Sequence, residues 1–413
     1  MTSWNLETFG EDERRIKKSN VRHVFTPHKP IDDERIFKGR LEEMKQILST
    51  LNTPGQHALL FGDRGVGKSS LANMAANQLI RITGQKLIIK RCDSSDNFLT
   101  IMEPVLDEIG YSPRTKSITS QKGLSASLLQ GSISLGNTIE KEGYIQQSLS
   151  PSWVSNKIKD LDALLLIDEF DSIQEVEDKF KVAELIKQLS DSNANLKILI
   201  VGIAESASEL TEGHPSVQRC LKEIKLNRMK YEDLAQVIRS GAYLLNLTFE
   251  KDVVFRIVRL SSGYAYFTHL LSLKAAEEAV IEERNVVKVE NLDFAIEKAI
   301  NDCESSLQLL YERSIQSSIE HYKRILYAIS LCNDEFIRNK DIKIQYEKKF
   351  GEPLSPSSLR RCVSKIVSNS NDKILKRIYK GVYRFPDPRM ASYIRIAQAY
   401  MYTTNEDIII NNQ

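Results

Sequence analysis

Cysteine is scarce and scattered in this 413-residue chain: Cys92, Cys220, Cys303, Cys332 and Cys362 stand singly, with no C-x-x-C pair. That spacing argues against a disulfide scaffold or a zinc ribbon and leaves each thiol as a reduced packing residue. The two Trp and six His fall at no metal-ligand spacing either. No apolar run has the length a bilayer span needs, and the opening stretch, MTSWNLETFGEDERRIKK, lacks the apolar core of a signal peptide. The expectation is a cytoplasmic protein that contacts no membrane. Nuclease, NADase and protease motifs are missing, as are superstructure-forming repeats.

An overall excess of one charge is also lacking, since the net charge is +2. Its distribution is uneven. From His321 to Tyr402 there are 17 Lys/Arg against 7 Asp/Glu, a balance of +10 that leaves the remainder at about −8. A basic C-terminal module fits a nucleic-acid or other polyanion surface, although a lysine-rich solvated face gives the same count.

What is present begins at His57. The apolar run HALLFG leads into Gly62-x-x-x-x-Gly67-Lys68-Ser69 and then into a helical pattern. This is the pattern of a phosphate-binding P-loop. Its glycines let the backbone N–H groups of Gly62, Asp63, Arg64, Gly65, Val66, Gly67, Lys68, Ser69 and Ser70 curl around phosphates; Lys68 reaches the β- and γ-phosphates and the Ser69 hydroxyl ligates Mg²⁺. Downstream, Leu161–Asp168 is a continuous apolar strand that ends in Asp168-Glu169-Phe170-Asp171. Such a run suits a parallel strand covered on both faces, with its carboxylates at the C-terminal edge of the sheet. Asp168 is expected to hold Mg²⁺ through water, and Glu169 to orient and deprotonate an attacking water. ATP and that one Mg²⁺ are the only cofactors expected.

The order of patterns predicts an α/β fold. Strand 57–61, helix 68–82, strand 86–91, helix 96–109, the strand before Asp168, helix 176–190 and strand 196–202 follow one another as in a parallel sheet with flanking helices. Residues 1–30 read as a polar arm, 31–230 as the core, 231–319 as a helical lid, 320–402 as a third module and 403–413 as a tail. Thr115–Trp153, rich in Ser, Gly and Gln, reads as an insertion. Leu124–Leu128 and Ser132–Leu135 suggest a β-hairpin in it, and a disordered or lid-packing loop is the alternative. In the third module, Ser355 is placed to cap a helix that has Pro356 at its first position. Residues 373–385 alternate around a Lys380-Gly381 turn.

These residues together resemble an AAA+ ATPase of the initiator branch that contains origin-recognition and loader proteins, and they are also similar to STAND-type P-loop switches. The resemblance covers about residues 31–402. It implies hydrolysis of ATP to ADP and phosphate by a homo-oligomer. Phe37-Lys38-Gly39-Arg40 resembles the family's N-terminal box near the adenine, so Gly39 and Arg40 are expected at the nucleotide. Arg219 resembles the arginine finger that completes a neighbour's site and is counted with Glu169 and Lys68 as catalytic, with Arg228 as fallback. Two positions depart from the family. Glu205 or Ser206 stands where a polar sensor, often Asn, ends the fourth strand. Ser262-Gly263-Tyr264-Ala265-Tyr266 lacks the lid arginine, which removes a charge from γ-phosphate sensing.

The third module resembles a winged helix. If it binds double-stranded DNA, Arg360, Arg361 and Lys365 lie on the helix that enters the major groove, and Lys376, Arg377 and Lys380 lie on the wing. The resemblance to initiators implies an ATP-dependent DNA-binding or loading factor. The resemblance to STAND proteins implies instead a nucleotide-controlled switch, as in antiphage defence, whose winged helix is a latch and whose output is a partner effector.

Overall fold

Three apolar runs form the centre of a parallel sheet: β1 (His57–Gly62), β3 (Ala163–Asp168) and β4 (Lys197–Ile203). The strand order is β2-β3-β4-β1-β5, with β2 (Lys86–Arg91) and β5 (Leu221–Lys225) at the edges. This computed structural model describes residues 20–111, 150–204, 208 and 217–399, less 32, 304, 316–319, 333, 335 and 369–372. The predicted hairpin and the sensor candidates Glu205 and Ser206 lie outside the described residues.

Burial explains the sequence pattern. Every residue of β1 and β3 is buried, because helices cover both faces of the sheet, whereas the edge strands β2 and β5 show exposed positions. Leu59, Phe61, Leu165, Ile167, Ile198 and Ile200 point to one side. There they join a core built with α3 (Phe98–Glu108), α4 (Pro151–Ile158) and α5 (Val176–Asp191). Their alternates Ala58, Leu60, Leu164, Leu166, Leu199 and Val201 are also buried, and α1 (Leu41–Asn52) and α2 (Lys68–Thr83) pack on these strands.

Local chemistry sets the helix starts. Asn97 and Thr100 form a capping box at α3, and Asp178 of α5 accepts a further bond there from the Phe98 amide at 3.0 Å. Ser150 caps α4, with Pro151 at its first position, so a helix already begins within the stretch expected as an insertion. Strand β5 was not foreseen. Its sequence, LKEIK, buries only Leu221 and Ile224, and a two-in-five pattern marks neither period.

The chain divides into two units. One comprises Arg40–Asp63 and Lys68–Asn227 and holds the sheet; the other comprises Met1–Gly39, Arg64–Gly67 and Arg228–Gln413. In the second unit, α6 (Tyr231–Leu244), α7 (Lys251–Ser261), α8 (Ala265–Ile281) and α9 (Val289–Asp302) form a helical group, with α8 buried along most of its length. Phe25 from the N-terminal segment is fully buried against Gly241 and stands edge-on to Phe249 and His269. A two-strand parallel pair, β6 (Thr248–Phe249) with β7 (Val286–Val287), joins this group. Elements of two residues leave no alternation to read, which is why the sequence showed only helices here.

Beyond α10 (Ser305–Ile315) come α11 (Glu320–Ser330), β8 (Ile337–Arg338), α12 (Asn339–Phe350), α13 (Pro356–Ile366), β9 (Val367–Ser368), β10 (Leu375–Tyr379) and β11 (Val382–Arg384). The four short strands form a sheet in the order β8-β11-β10-β9. The Ser355 hydroxyl accepts the Ser358 amide at 3.1 Å, as a cap should. A last helix, residues 390–399, is tied to the helical group. Ser392 donates to the Ser261 carbonyl at 3.2 Å, and Arg395 donates to the Ser262 hydroxyl at 2.5 Å and to the Ser330 carbonyl.

Candidate functional site

Parallel strands bring their C-terminal ends to one edge, and both candidate motifs leave the sheet there. Phe61 pairs with Gly202 of β4 and Lys90 with Ile167 of β3, so the end of β1 and the carboxylates after Ile167 lie at the same edge. Gly62 leaves β1 at φ 148° with the Leu226 carbonyl oxygen 2.4 Å from where a Cβ would stand. No side chain fits at that point.

Lys68, 8% exposed, turns back into the loop and donates to the carbonyls of Gly62 at 3.0 Å and Asp63 at 2.7 Å. The Ser69 hydroxyl donates to Asp168 Oδ1 at 3.2 Å. That oxygen also accepts the Glu169 amide at 2.9 Å. A hydroxyl and a carboxylate this close, next to a buried ammonium, are the hard oxygen donors Mg²⁺ takes alongside phosphate oxygens and water. Among the described residues no group of three or more His, Cys, Asp or Glu could hold a metal by itself. The Ser69–Asp168 pair therefore fits a metal that arrives with a polyphosphate.

Glu169 adopts the left-handed conformation, φ 58° and ψ 35°. A non-glycine residue held there costs on the order of 1–3 kcal/mol and persists where the surroundings enforce it. Here the Asp168 carboxylate holds its amide and the next turn is pinned, because Asp171 Oδ1 accepts the Ile203 amide at the end of β4 at 2.7 Å. The result is an exposed Glu169 at the sheet edge, next in the chain to Asp168.

The P-loop tip belongs to the second unit. The Tyr266 amide, in the first turn of α8, donates to the Gly65 carbonyl at 3.3 Å. A Cβ on Gly65 would meet Arg389 Cδ at 3.0 Å and Tyr266 Cβ at 3.4 Å. Arg389 is 1% exposed, paired with Asp387 through Nε–Oδ1 at 3.1 Å and Nη2–Oδ2 at 2.7 Å, and its guanidinium lies 5.8 Å from the Tyr266 ring centre. Nothing in the sequence pattern singled out Arg389. Its only local signal is the Asp387 two residues before it, and the residues it touches are far away along the chain.

The remaining predicted residues fall in three places. Gly39 packs against Asp233, while Arg40, 5% exposed, donates to the Asn227 carbonyl at 2.6 Å and pairs with Glu43 at 3.1 Å, so its guanidinium is engaged within the fold. Arg219 precedes β5, whose Leu221 pairs with His57, the first residue of β1. It thus stands at the opposite edge of the sheet from the P-loop, roughly 16 Å away for five residues of strand. Its guanidinium forms a half-exposed ion pair with Asp191 at 2.6 Å. Arg228 follows β5 and lies 4.8 Å from the Tyr264 ring centre.

Of the candidate DNA contacts, Arg360, Arg377 and Lys380 line one groove. Lys343 of α12, which the sequence reading passed over, lines it with them. Arg361 is exposed beside it on α13, Lys376 is cross-strand from Arg384, and the Lys365 ammonium sits 5.0 Å from the Tyr322 ring centre.

The model of one protein family, described as Novel STAND NTPase 1, matches residues 27–289. No curated protein matches the chain. Among solved structures it is similar to Cdc6p from Pyrobaculum aerophilum, at 14% identity over 92% of this chain and 98% of that one, with a TM-score of 0.47. It is also similar to the Walker-type ATPase paby2304 of Pyrococcus abyssi, at 17% identity, 90% and 99% coverage and a TM-score of 0.48. Aeropyrum pernix Orc1, solved in complex with DNA, is 16% identical over 91% and 96%, with a TM-score of 0.44.

Proposed function

Since this chain belongs to the Novel STAND NTPase 1 family, we propose that it is a nucleotide-controlled switch that binds ATP, hydrolyses it to ADP and phosphate, and reads the bound nucleotide through its C-terminal segment. The observation that carries this reading is Arg389. A nearly fully buried arginine from beyond β11 lies against Gly65, the tip of the loop that would wrap the phosphates. The lid turn Ser262–Tyr266 has no arginine, and Arg389 supplies a cation next to that turn.

In this account the backbone amides from Gly62 to Ser70 cradle the phosphates and the Lys68 ammonium exchanges its two carbonyl partners for phosphate oxygens. Ser69 and Asp168 would hold Mg²⁺, which neutralises charge on the phosphate oxygens. Glu169 orients a water and takes its proton as the water attacks phosphorus. Arg219, too far from its own P-loop, serves a neighbouring copy in a homo-oligomer.

The test is the release rate of fluorescent ADP from the Arg389→Ala protein. Release at least about 10-fold faster than from the natural chain supports the latch; an unchanged rate contradicts it.

A second reading, an ATP-dependent factor acting on DNA, is favoured by one specific observation. On α13 the residues Ser357, Arg360, Arg361, Ser364 and Lys365 form a continuous exposed face with no acid in it, as a helix that enters a DNA groove would. Under the switch reading this module, which we read as a winged helix, is the latch, and a partner effector carries the output. No described helix is long and apolar enough to cross a membrane, and we place the protein in the cytoplasm.

A further inference from the structure

Four cations of the C-terminal module gather in one concavity. The groove, about 650 Å³, lies between the start of α12, the outer side of α13 and the β10–β11 hairpin. Three elements each contribute cations: Lys343 from α12, Arg360 from α13, and Arg377 with Lys380 from the hairpin. Among the described residues no carboxylate lines it. Elsewhere cations are commonly paired, as in Arg22–Glu277, Lys90–Asp96 or Arg256–Asp293. Among the described residues none of these four is in an ion pair.

Four like charges gathered in one groove repel one another, and a fold tolerates that where an anion relieves it. The floor is apolar: Leu359, Val363 and Tyr383 are each at most 5% exposed. At the hairpin tip the strand register shifts between Arg377 and Tyr379, and Tyr379, which precedes the groove residue Lys380 in the chain, is 72% exposed. Gly381, at φ 79°, closes the turn, with its carbonyl accepting the Asn339 amide at 3.1 Å, so the hairpin is fixed to α12.

We propose that this groove seats the sugar–phosphate backbone of an unpaired nucleic-acid strand, with Tyr379 stacking on a base. Cations that surround the groove from three elements suit one backbone rather than the two of a duplex. An exposed aromatic on the same hairpin offers a π-face, which any base can use. The inference goes beyond the switch reading and needs neither Arg389 nor hydrolysis; it names what the C-terminal module contacts when it is free to bind.

The test is fluorescence anisotropy of the full chain with a labelled oligo-dT of about 30 nucleotides and with a duplex of equal length, across a salt series. The natural chain is expected to bind the single strand. Changing Arg360→Gln together with Arg377→Gln should weaken it at least about 10-fold and flatten the salt slope by about 1.4, the value for two lost phosphate contacts on a single strand. Tyr379→Ala should cost about 5-fold or more, and Tyr379→Phe should restore binding. The control pair Lys222→Gln with Lys251→Gln, equal in charge and outside the groove, should change affinity less than about 2-fold.

All variants should keep ADP affinity, which separates a failure here from a failure of the P-loop assignment. Absence of binding to either probe, an equal loss in the control pair, or tighter duplex binding that is indifferent to Tyr379→Ala would overturn the proposal.

Discussion

Glu169 combines a backbone cost with the chemical role proposed for it. Its left-handed backbone is held by the Asp168 carboxylate, and its own carboxylate is left exposed at the sheet edge. Glu169→Gln should lower phosphate release by about 10²–10⁴-fold while ATP binding survives, since a positioned base contributes that much and the phosphate cradle is untouched. A rate assay beside an equilibrium binding assay checks both halves. Gly62→Ala should fail differently. A Cβ 2.4 Å from the Leu226 carbonyl, on a φ of 148°, forces the strand end to move, and a loss of about 1–3 kcal/mol in thermal unfolding together with weakened nucleotide binding is expected.

The placement of Lys68, Ser69, Asp168 and Glu169 at one edge of the sheet was legible in the sequence, because a P-loop and its acidic strand are each written within a few residues. Arg389 and Lys343 were not. One is defined by a contact with Gly65 and the other by a groove shared with α13 and the hairpin, and neither relation has a local spacing.

At the scale of elements, β1, β3 and β4 were readable because burial on both faces demands unbroken apolar runs. Edge strand β5 and the two-residue β6 and β7 were not, because partial burial or brevity removes the pattern. The sheet also contains a pH-sensitive residue. His57, 1% exposed in β1, accepts the Ile198 amide on Nδ1 at 3.0 Å, and burial, with Lys197 nearby, pushes its pKa down to about 3. The folded state thus keeps His57 neutral, while the unfolded chain gains a proton below about pH 6.5.

Stability from this residue is complete above that pH and is lost as pH falls toward 3, at up to about 1.4 kcal/mol per pH unit. His269 of α8, which accepts the Thr26 amide on Nδ1 and is pushed down to about 4 by burial, acts in the same direction in the other unit. Thermal melts at pH 7.5 and 5 should show a drop in midpoint that is smaller in a His57→Asn protein. An equal drop in both would remove His57 from the account.

For the whole molecule, the parts on which the proposed switch rests are distributed along the chain. Asp168, Glu169 and the proposed metal ligand Ser69 belong to the sheet unit, whereas the loop tip Arg64–Gly67 groups with the helices and the C-terminal segment. Arg219 stands at the far edge of its own sheet, and under the proposal that it completes a neighbour's site, hydrolysis depends on assembly. Turnover per chain should rise with protein concentration, and Arg219→Ala should reduce it by about 10³-fold with nucleotide affinity unchanged.

The central claim is that Arg389 and the residues around it respond to the nucleotide. The measurement that tests it most directly is hydrogen–deuterium exchange of the Glu169→Gln protein saturated with ATP and, separately, with ADP, read in peptides covering 260–267 and 386–399. The γ-phosphate adds charge and volume to a loop whose tip already packs against Tyr266 and Arg389. The account therefore predicts slower exchange in both peptides with ADP than with ATP. Identical exchange in the two nucleotide states would contradict it.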